Sequence, residues 1–210
     1  MKEITSKKRL EMVLSRLKGF SNPKVMDEQY NTDASSAAMV IWHSHMKKEI
    51  FGKTVADLGC GTGILGIGML LMGAKKAYFI DKDHEALETC ENNLNLMKSE
   101  GFSLGDYEIV HAIIDTFAKK TDMVIQNPPF GTKVRHADKE FLVKAFEISD
   151  LIYSFHKSET SGFVGALCDD YGYKIAEKIE FAMPLKAQFS FHRRKIQRID
   201  VSCFCIVKKM

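Results

Sequence analysis

The sequence predicts an α/β fold, a doubly wound and mostly parallel sheet of seven strands closed by an antiparallel C-terminal hairpin. Three observations carry this. From Thr54 onward, short apolar or β-branched runs alternate with segments of helical period, the pattern of parallel strands joined by crossover helices. Two of those runs end in turn chemistry at Asp57–Gly63 and Asn127–Phe130, as strands feeding loops at a sheet edge do. The last two runs, Lys174–Ala182 and Ile199–Val207, have only a basic loop between them, which suits an antiparallel hairpin.

The elements follow in order. Leu10, Val13, Leu14 and Leu17 lie at helical spacing within Thr5–Lys18, with Lys and Arg on the other face, and Gly19 and Pro23 end that helix. After a polar bend at Tyr30–Asp33, Ala38, Ile41 and Trp42 mark a second helix from Ala34 to Lys48. Thr54–Leu58 is a strand. The longest apolar stretch, Gly63–Ala74, is too short to span a bilayer and reads as a buried helix to Met72. Then come a strand at Lys76–Ile80 ending in Asp81, a helix at His84–Met97, and strands at Tyr107–Ile113 and Asp122–Gln126. A helix at Lys139–Ile148, a strand at Leu151–Phe155 and a helix at Thr160–Asp170 precede the hairpin. The expected organisation is one domain over 1–210, with an N-terminal helical lid at 1–48 on a catalytic core at 49–210.

Composition narrows the setting. Hydrophobic residues make up 45% and charged residues 27%, ordinary for a globular chain, and the net charge of +3 is too small to imply nucleic acid by itself. The N-terminus is charged and lacks the apolar core of a signal peptide, so a cytoplasmic location without membrane attachment is expected. The cysteines, Cys60, Cys90, Cys168, Cys203 and Cys205, form no CxxC pair; no metal site is expected, and reduced thiols packed as small core residues are.

The first glycine-rich loop reads Asp57-x-Gly59-x-Gly61-x-Gly63, with Asp81 at the end of the next strand. Glycines permit a sharp turn and close ligand approach, and an acid in the position of Asp81 accepts both hydroxyls of an adenosine ribose. A dinucleotide enzyme uses GxGxxG to cradle a pyrophosphate; here an acid precedes the glycines and suits a cationic aminoacyl group. That combination indicates S-adenosylmethionine. The second loop, Asn127-Pro128-Pro129-Phe130, suits methyl transfer to a planar amine. The Asn127 side-chain oxygen and the Pro128 carbonyl each accept one N–H and stabilise developing positive charge. The prolines Pro128 and Pro129 stiffen the loop, and Phe130 is placed to stack on a base.

On these residues the chain resembles the methyltransferase-like protein five family, adenine-N6 methyltransferases of small-subunit ribosomal RNA with the class I, Rossmann-like fold. The matching stretches are Glu28–Thr32, Asp57–Gly63, Asn127–Lys133, Tyr153–Ser158 and Phe191–Lys195. The resemblance implies that Gln29, Tyr30 and Thr32 form a lid on the cofactor. Asn31 stands where the family commonly has proline. The family tends to place an acid after the third strand to contact the cofactor's adenine; here the aligned position is Ile113, with Asp115 two residues on.

RNA contacts are expected from two basic groups. Between Phe181 and Ile199 lie Arg193, Arg194 and Lys195 interleaved with Phe191 and His192, cations for phosphates and rings for bases. Lys133 and Arg135 follow the Asn127 loop. His156 and Lys157, at a strand's carboxyl end, are either substrate contacts or, for His156, a satisfied core histidine. The third strand carries no proline or lysine to blunt an edge and is a candidate for strand addition. Eukaryotic relatives of the resembled family pair with a small zinc-binding activator. Alternative readings are a protein-glutamine methyltransferase, which needs the same amide clamp, and a non-catalytic RNA-binding subunit.

Overall fold

Ser6 opens the first helix, α1 (Lys7–Leu14), by accepting the Arg9 N–H through its hydroxyl at 3.1 Å. The structure, a computed structural model, describes residues 2–24, 28–130, 137–186 and 196–209. α1 stops at Leu14 although its apolar period runs on to Leu17. The reason is distant in sequence: Asn93 accepts the Lys18 N–H and donates to the Lys18 carbonyl, both at 2.9 Å, which holds that residue outside a helix. Asp33 caps α2 (Ala34–Met46) by accepting the Ser35 and Ser36 N–H groups.

The core then runs β1 (Thr54–Leu58), α3 (Ile64–Leu71), β2 (Lys76–Asp81), α4 (His84–Ser99), β3 (Asp106–His111), β4 (Met123–Gln126), α5 (Ala137–Ile148), β5 (Leu151–Lys157), α6 (Ser161–Asp170), β6 (Tyr173–Lys186) and β7 (Ile196–Lys208). The seven strands lie in the order β3-β2-β1-β4-β5-β7-β6. Strands β1 to β5 are mutually parallel, and β7 runs antiparallel to both β5 and β6. This is the expected doubly wound sheet with its closing hairpin.

Several strand boundaries differ from expectation. β3 stops at His111 because the chain turns at Ile113 into a short 3-10 segment, Ile114–Thr116, that Thr116 stabilises by donating to the Ile113 carbonyl at 2.8 Å. β5 continues through Lys157, paired with Val201. β6 continues past Ala182 to Lys186 and includes Pro184, which an outer strand tolerates because one side of its backbone needs no ladder.

Alternation along the strands sorts the core into two layers. Val55, Ala77 and Phe79 face Leu10, Ile41, Ile67 and Leu94 of α1 to α4. Ala56, Leu58, Ile80 and Ile152 face Leu142, Phe146 and Val164 of α5 and α6. Central parallel strands covered on both faces need apolar residues at every position, which is why these runs lack a clean polar alternation. Each fully buried Leu, Ile or Phe contributes about 1.5–3 kcal/mol. All five cysteines are free and buried, Cys203 and Cys205 sharing the first layer. Among the described residues no helix is long and apolar enough to cross a membrane.

Because β1 has β2 on one side and β4 on the other, the chain winds outward in both directions from that strand. The loops at the carboxyl ends of β1, β2 and β4 therefore diverge and leave a crevice, the place where open α/β sheets bind ligands.

Candidate active site

A cavity of about 340 Å³ occupies that crevice. Asp57 and Gly59–Thr62 form its floor; Asp81, Lys82 and Ala112–Asp115 form one wall; Asn127, Pro129, Glu140 and Phe141 form the other. Phe20 and Glu28–Thr32 close over it. The glycines are required where they stand. Gly59 and Gly61 adopt left-handed φ of 64° and 53°, and a Cβ on them would meet the Phe141 and Phe20 rings at 2.7 Å.

The electrostatics of the floor are unusual. Asp57 is 1% exposed, and its Oδ2 accepts the Gly66 N–H at 2.8 Å, which ties β1 to the first turn of α3. Burial raises its carboxyl from the ordinary 3.8 to about 7, against the lowering effect of the Gly66 bond and with a further push from Asp81. Asp81 accepts the Gly61 N–H at 2.8 Å and the Asp83 N–H at 2.9 Å, and burial raises its pKa too. Among the described residues neither carboxylate has a basic side chain within ion-pairing distance. Two desolvated acids facing one cavity favour a cationic ligand that also carries hydroxyl or ammonium donors.

Asp83 differs. It caps α4 through the Glu85 N–H and takes Gln29 Nε2 at 2.6 Å and Lys24 Nζ at 2.9 Å. Burial pushes its pKa up, but the Lys24 and Gln29 hydrogen bonds outweigh that and hold it below the ordinary value.

On the opposite wall Asn127 donates through Nδ2 to the Thr32 hydroxyl at 2.8 Å. Its Oδ1 is buried and has no hydrogen-bond partner among the described residues. An unpaired buried amide oxygen costs about 1–3 kcal/mol, which a ligand N–H would recover. Tyr30 lines the cavity, its hydroxyl pKa raised by burial and by Glu28.

The structure thus brings Gln29, Tyr30, Thr32, Asp57, Gly59, Gly61, Asp81, Asp115, Asn127 and Pro129 to one cavity. Gly63 sits behind them as the N-cap of α3, with φ 87° and Cys90 Sγ where a Cβ would point. Pro128 is buried. Phe130, expected to present its ring to a base, is half-buried against the first core layer. His156 is the satisfied core histidine: it is 1% exposed, its Nε2 lies 2.7 Å from Ser154 Oγ, and burial lowers its pKa to about 3. Lys157 is half-buried, lies 3.7 Å from Glu159 and does not line the cavity. Lys133, Arg135, Phe191, His192, Arg193, Arg194 and Lys195 lie outside the described residues.

Other lining residues were not legible beforehand. Phe20 and Phe141 carry no motif; they line the cavity and fill the space that a Cβ on Gly61 or Gly59 would take. Glu28 begins the quoted Glu28–Thr32 run, so its signal was present without a role. Ile113 was met as an aligned position only; at 56% exposure on the cavity wall, it offers an apolar surface to a flat ring.

Comparison with known proteins agrees with this geometry. The family model described as the methyltransferase small domain matches residues 23–148. The rRNA N(6)-adenosine-methyltransferase METTL5 of Danio rerio is 35% identical, the match covering 92% of this chain and 95% of the relative. An uncharacterized protein of Methanocaldococcus jannaschii is 38% identical over 96% of this chain and 94% of its own length. A crystal structure of a Pyrococcus horikoshii protein assigned as an RNA methyltransferase superposes with a TM-score of 0.89 at 39% identity, covering 99% of this chain and 100% of that one. The chain belongs to the methyltransferase small domain family, as an S-adenosylmethionine-dependent class I methyltransferase related to the rRNA N(6)-adenosine methyltransferases.

Proposed function

We propose that the protein methylates the N6 amine of an adenosine in ribosomal RNA, that of the small subunit. The observation that carries this is the buried Oδ1 of Asn127, without a hydrogen-bond partner among the described residues, in the cavity wall opposite two desolvated acids. The desolvated floor fits S-adenosylmethionine, which supplies an electrophilic methyl group when bound. Asp81 would take the ribose hydroxyls and Asp57 would face the cationic end, with Gln29, Tyr30 and Asp115 closing the cofactor's side of the cavity.

An aromatic amine is a weak nucleophile because its lone pair is delocalised into the ring. Asn127 Oδ1 accepts one of its N–H groups, fixes the nitrogen in the cavity and stabilises positive charge as it grows there. The Pro128 carbonyl is the second acceptor. No strong base is needed, since the attacked nitrogen becomes acidic as it is alkylated. The RNA is held by Arg193, Arg194 and Lys195 together with Phe191 and His192 of the same segment, and by Lys133 and Arg135, which follow the Asn127 loop in sequence. The described backbone supports that placement: β6 ends at Lys186 and β7 begins at Ile196, and both points extend beyond the β5 carboxyl end.

The protein acts in the cytoplasm in this reading, and β3 pairs with a small zinc-binding activator. β3 is an outer strand, and among the described residues nothing pairs with its free side. The direct test incubates purified protein with transcribed small-subunit and large-subunit ribosomal RNA and maps N6-methyladenosine by mass spectrometry. Methylation of the small-subunit transcript is expected, reduced about 100-fold or more in Asn127→Ala with cofactor affinity retained. Wild-type turnover by that variant, or methylation of protein glutamine instead, refutes the reading.

A further inference from the structure

Residues 24 and 28–32 form a strap that joins the two walls of the cavity. At one end Gln29 and Lys24 bind Asp83 beyond β2. At the other, Thr32 binds the Asn127 side chain and Glu28 Oε2 accepts the Phe130 N–H at 3.0 Å. Each contact on the Asn127 loop answers a chemical need of that loop.

A carboxamide presents an acceptor and a donor of nearly the same shape. If Asn127 turned over, its NH2 would face the cavity and repel an incoming amine. In the observed arrangement Thr32 Oγ1 accepts from Nδ2, and this leaves Oδ1 for the ligand. Thr32 is itself buried, so the orienting contact is shielded from competing water. The backbone of the loop has a related need. Pro128 and Pro129 have no N–H, so the first backbone donor after Asn127 is that of Phe130. Glu28 takes it from a residue 102 positions earlier. Glu28 is buried and holds a left-handed φ of 48°, a conformation uncommon for a residue with a Cβ and found where surroundings enforce it.

We infer that Thr32 and Glu28 are positioning residues for the methyl transfer: Thr32 anchors the Asn127 carboxamide in the orientation that presents its oxygen, and Glu28 fixes the loop backbone at Phe130. This rests on the reading of Asn127 as the amine acceptor. Four variants test it: Thr32→Val and Thr32→Ser, Glu28→Leu and Glu28→Gln. Val keeps the shape of Thr32 and removes its acceptor, and Ser keeps the acceptor; Leu and Gln do the same for Glu28.

Two readouts are needed. In the free protein, the Asn127 side-chain amide protons and the Phe130 backbone amide are followed by NMR. The Asn127 signals should shift and exchange faster in Thr32→Val and hold in Thr32→Ser; the Phe130 amide should respond to Glu28→Leu and not to Glu28→Gln. On total RNA with saturating S-adenosylmethionine, single-turnover methylation should fall roughly tenfold or more in Thr32→Val and Glu28→Leu, and recover in Ser and Gln. Cofactor affinity by calorimetry should stay within about threefold throughout, since these contacts act on the amine side. Resonances unmoved by Thr32→Val and Glu28→Leu overturn the inference. So does a rate loss that vanishes when cofactor is raised, which makes Thr32 a cofactor contact. Failure of the RNA reading looks different: all five proteins leave RNA unmethylated while the resonances still follow Thr32 and Glu28.

Discussion

Replacing Asp57 with Asn should change the shape of the stability profile against pH. The folded protein holds a proton on Asp57 up to about pH 7, whereas the unfolded chain releases it near 3.8. Stability from this source is lost as pH rises through that window and is flat above it. At about 1.4 kcal/mol per unit, the span from pH 5 to pH 7 costs about 3 kcal/mol. His156 works in the opposite sense. Its pKa falls from 6.5 to about 3, so the unfolded chain takes up a proton first and stability is lost as pH drops below 6.5, by about 2 kcal/mol at pH 5. These two groups therefore nearly cancel between pH 5 and 6.5. Asp57→Asn keeps an oxygen for the Gly66 N–H and removes the titration, which uncovers the His156 slope. The variant should gain stability from pH 5 to 6.5 relative to the wild type. The gap between them should widen by about 3 kcal/mol from pH 5 to 8, roughly 6–12 °C in Tm for a chain of this length. Thermal scans of cofactor-free protein at half-unit steps measure this. A gap that does not change with pH would show that Asp57 is already ionised in the fold.

Asp81→Ala should weaken cofactor binding by at least about tenfold, since charge-assisted hydrogen bonds are worth about 1.5–3 kcal/mol each; an unchanged dissociation constant by calorimetry rejects its assignment. The triple alanine variant of Arg193, Arg194 and Lys195 should bind RNA with a shallower salt dependence, by about 0.7 in log–log slope per lost phosphate contact, and should bind cofactor normally. A wild-type slope removes that segment from the RNA site. Co-expression with a zinc-binding activator should slow hydrogen exchange at the β3 amides of Asp106–His111, and exchange that is equal with and without the partner places it elsewhere.

The central strands and the two loops were legible because their signals are local. The run Asp57–Gly63 combines a turn, a helix start and an acid within one segment, and Asn127–Phe130 follows its strand directly. What the sequence concealed depends on partners far away in the chain. The end of α1 is set by Asn93, and the lid's contacts join Gln29 to Asp83 and Glu28 to Phe130, none of which leaves a period or spacing. The lid was expected to touch the cofactor; its Thr32 also binds the Asn127 side chain. His156 misled for a related reason. β5 is an inner strand covered by a core layer on each face, so His156 is buried on either one, and it shares its face with Ser154 two residues before. The place of Phe130 follows from packing, which local sequence does not encode.

The outer strands of the sheet are chemically unequal. β6 carries Pro184, a residue with no N–H to donate, along with Lys174 and Lys178; β3 has neither residue type. A sheet that can be extended at both ends can polymerise, each copy offering a fresh edge to the next. One that is stopped at β6 and extendable only at β3 terminates after a single addition. The unequal ends therefore favour a discrete assembly of fixed size over a fibre, and the exposed backbone of β3 can be kept available without the aggregation that two such edges would invite.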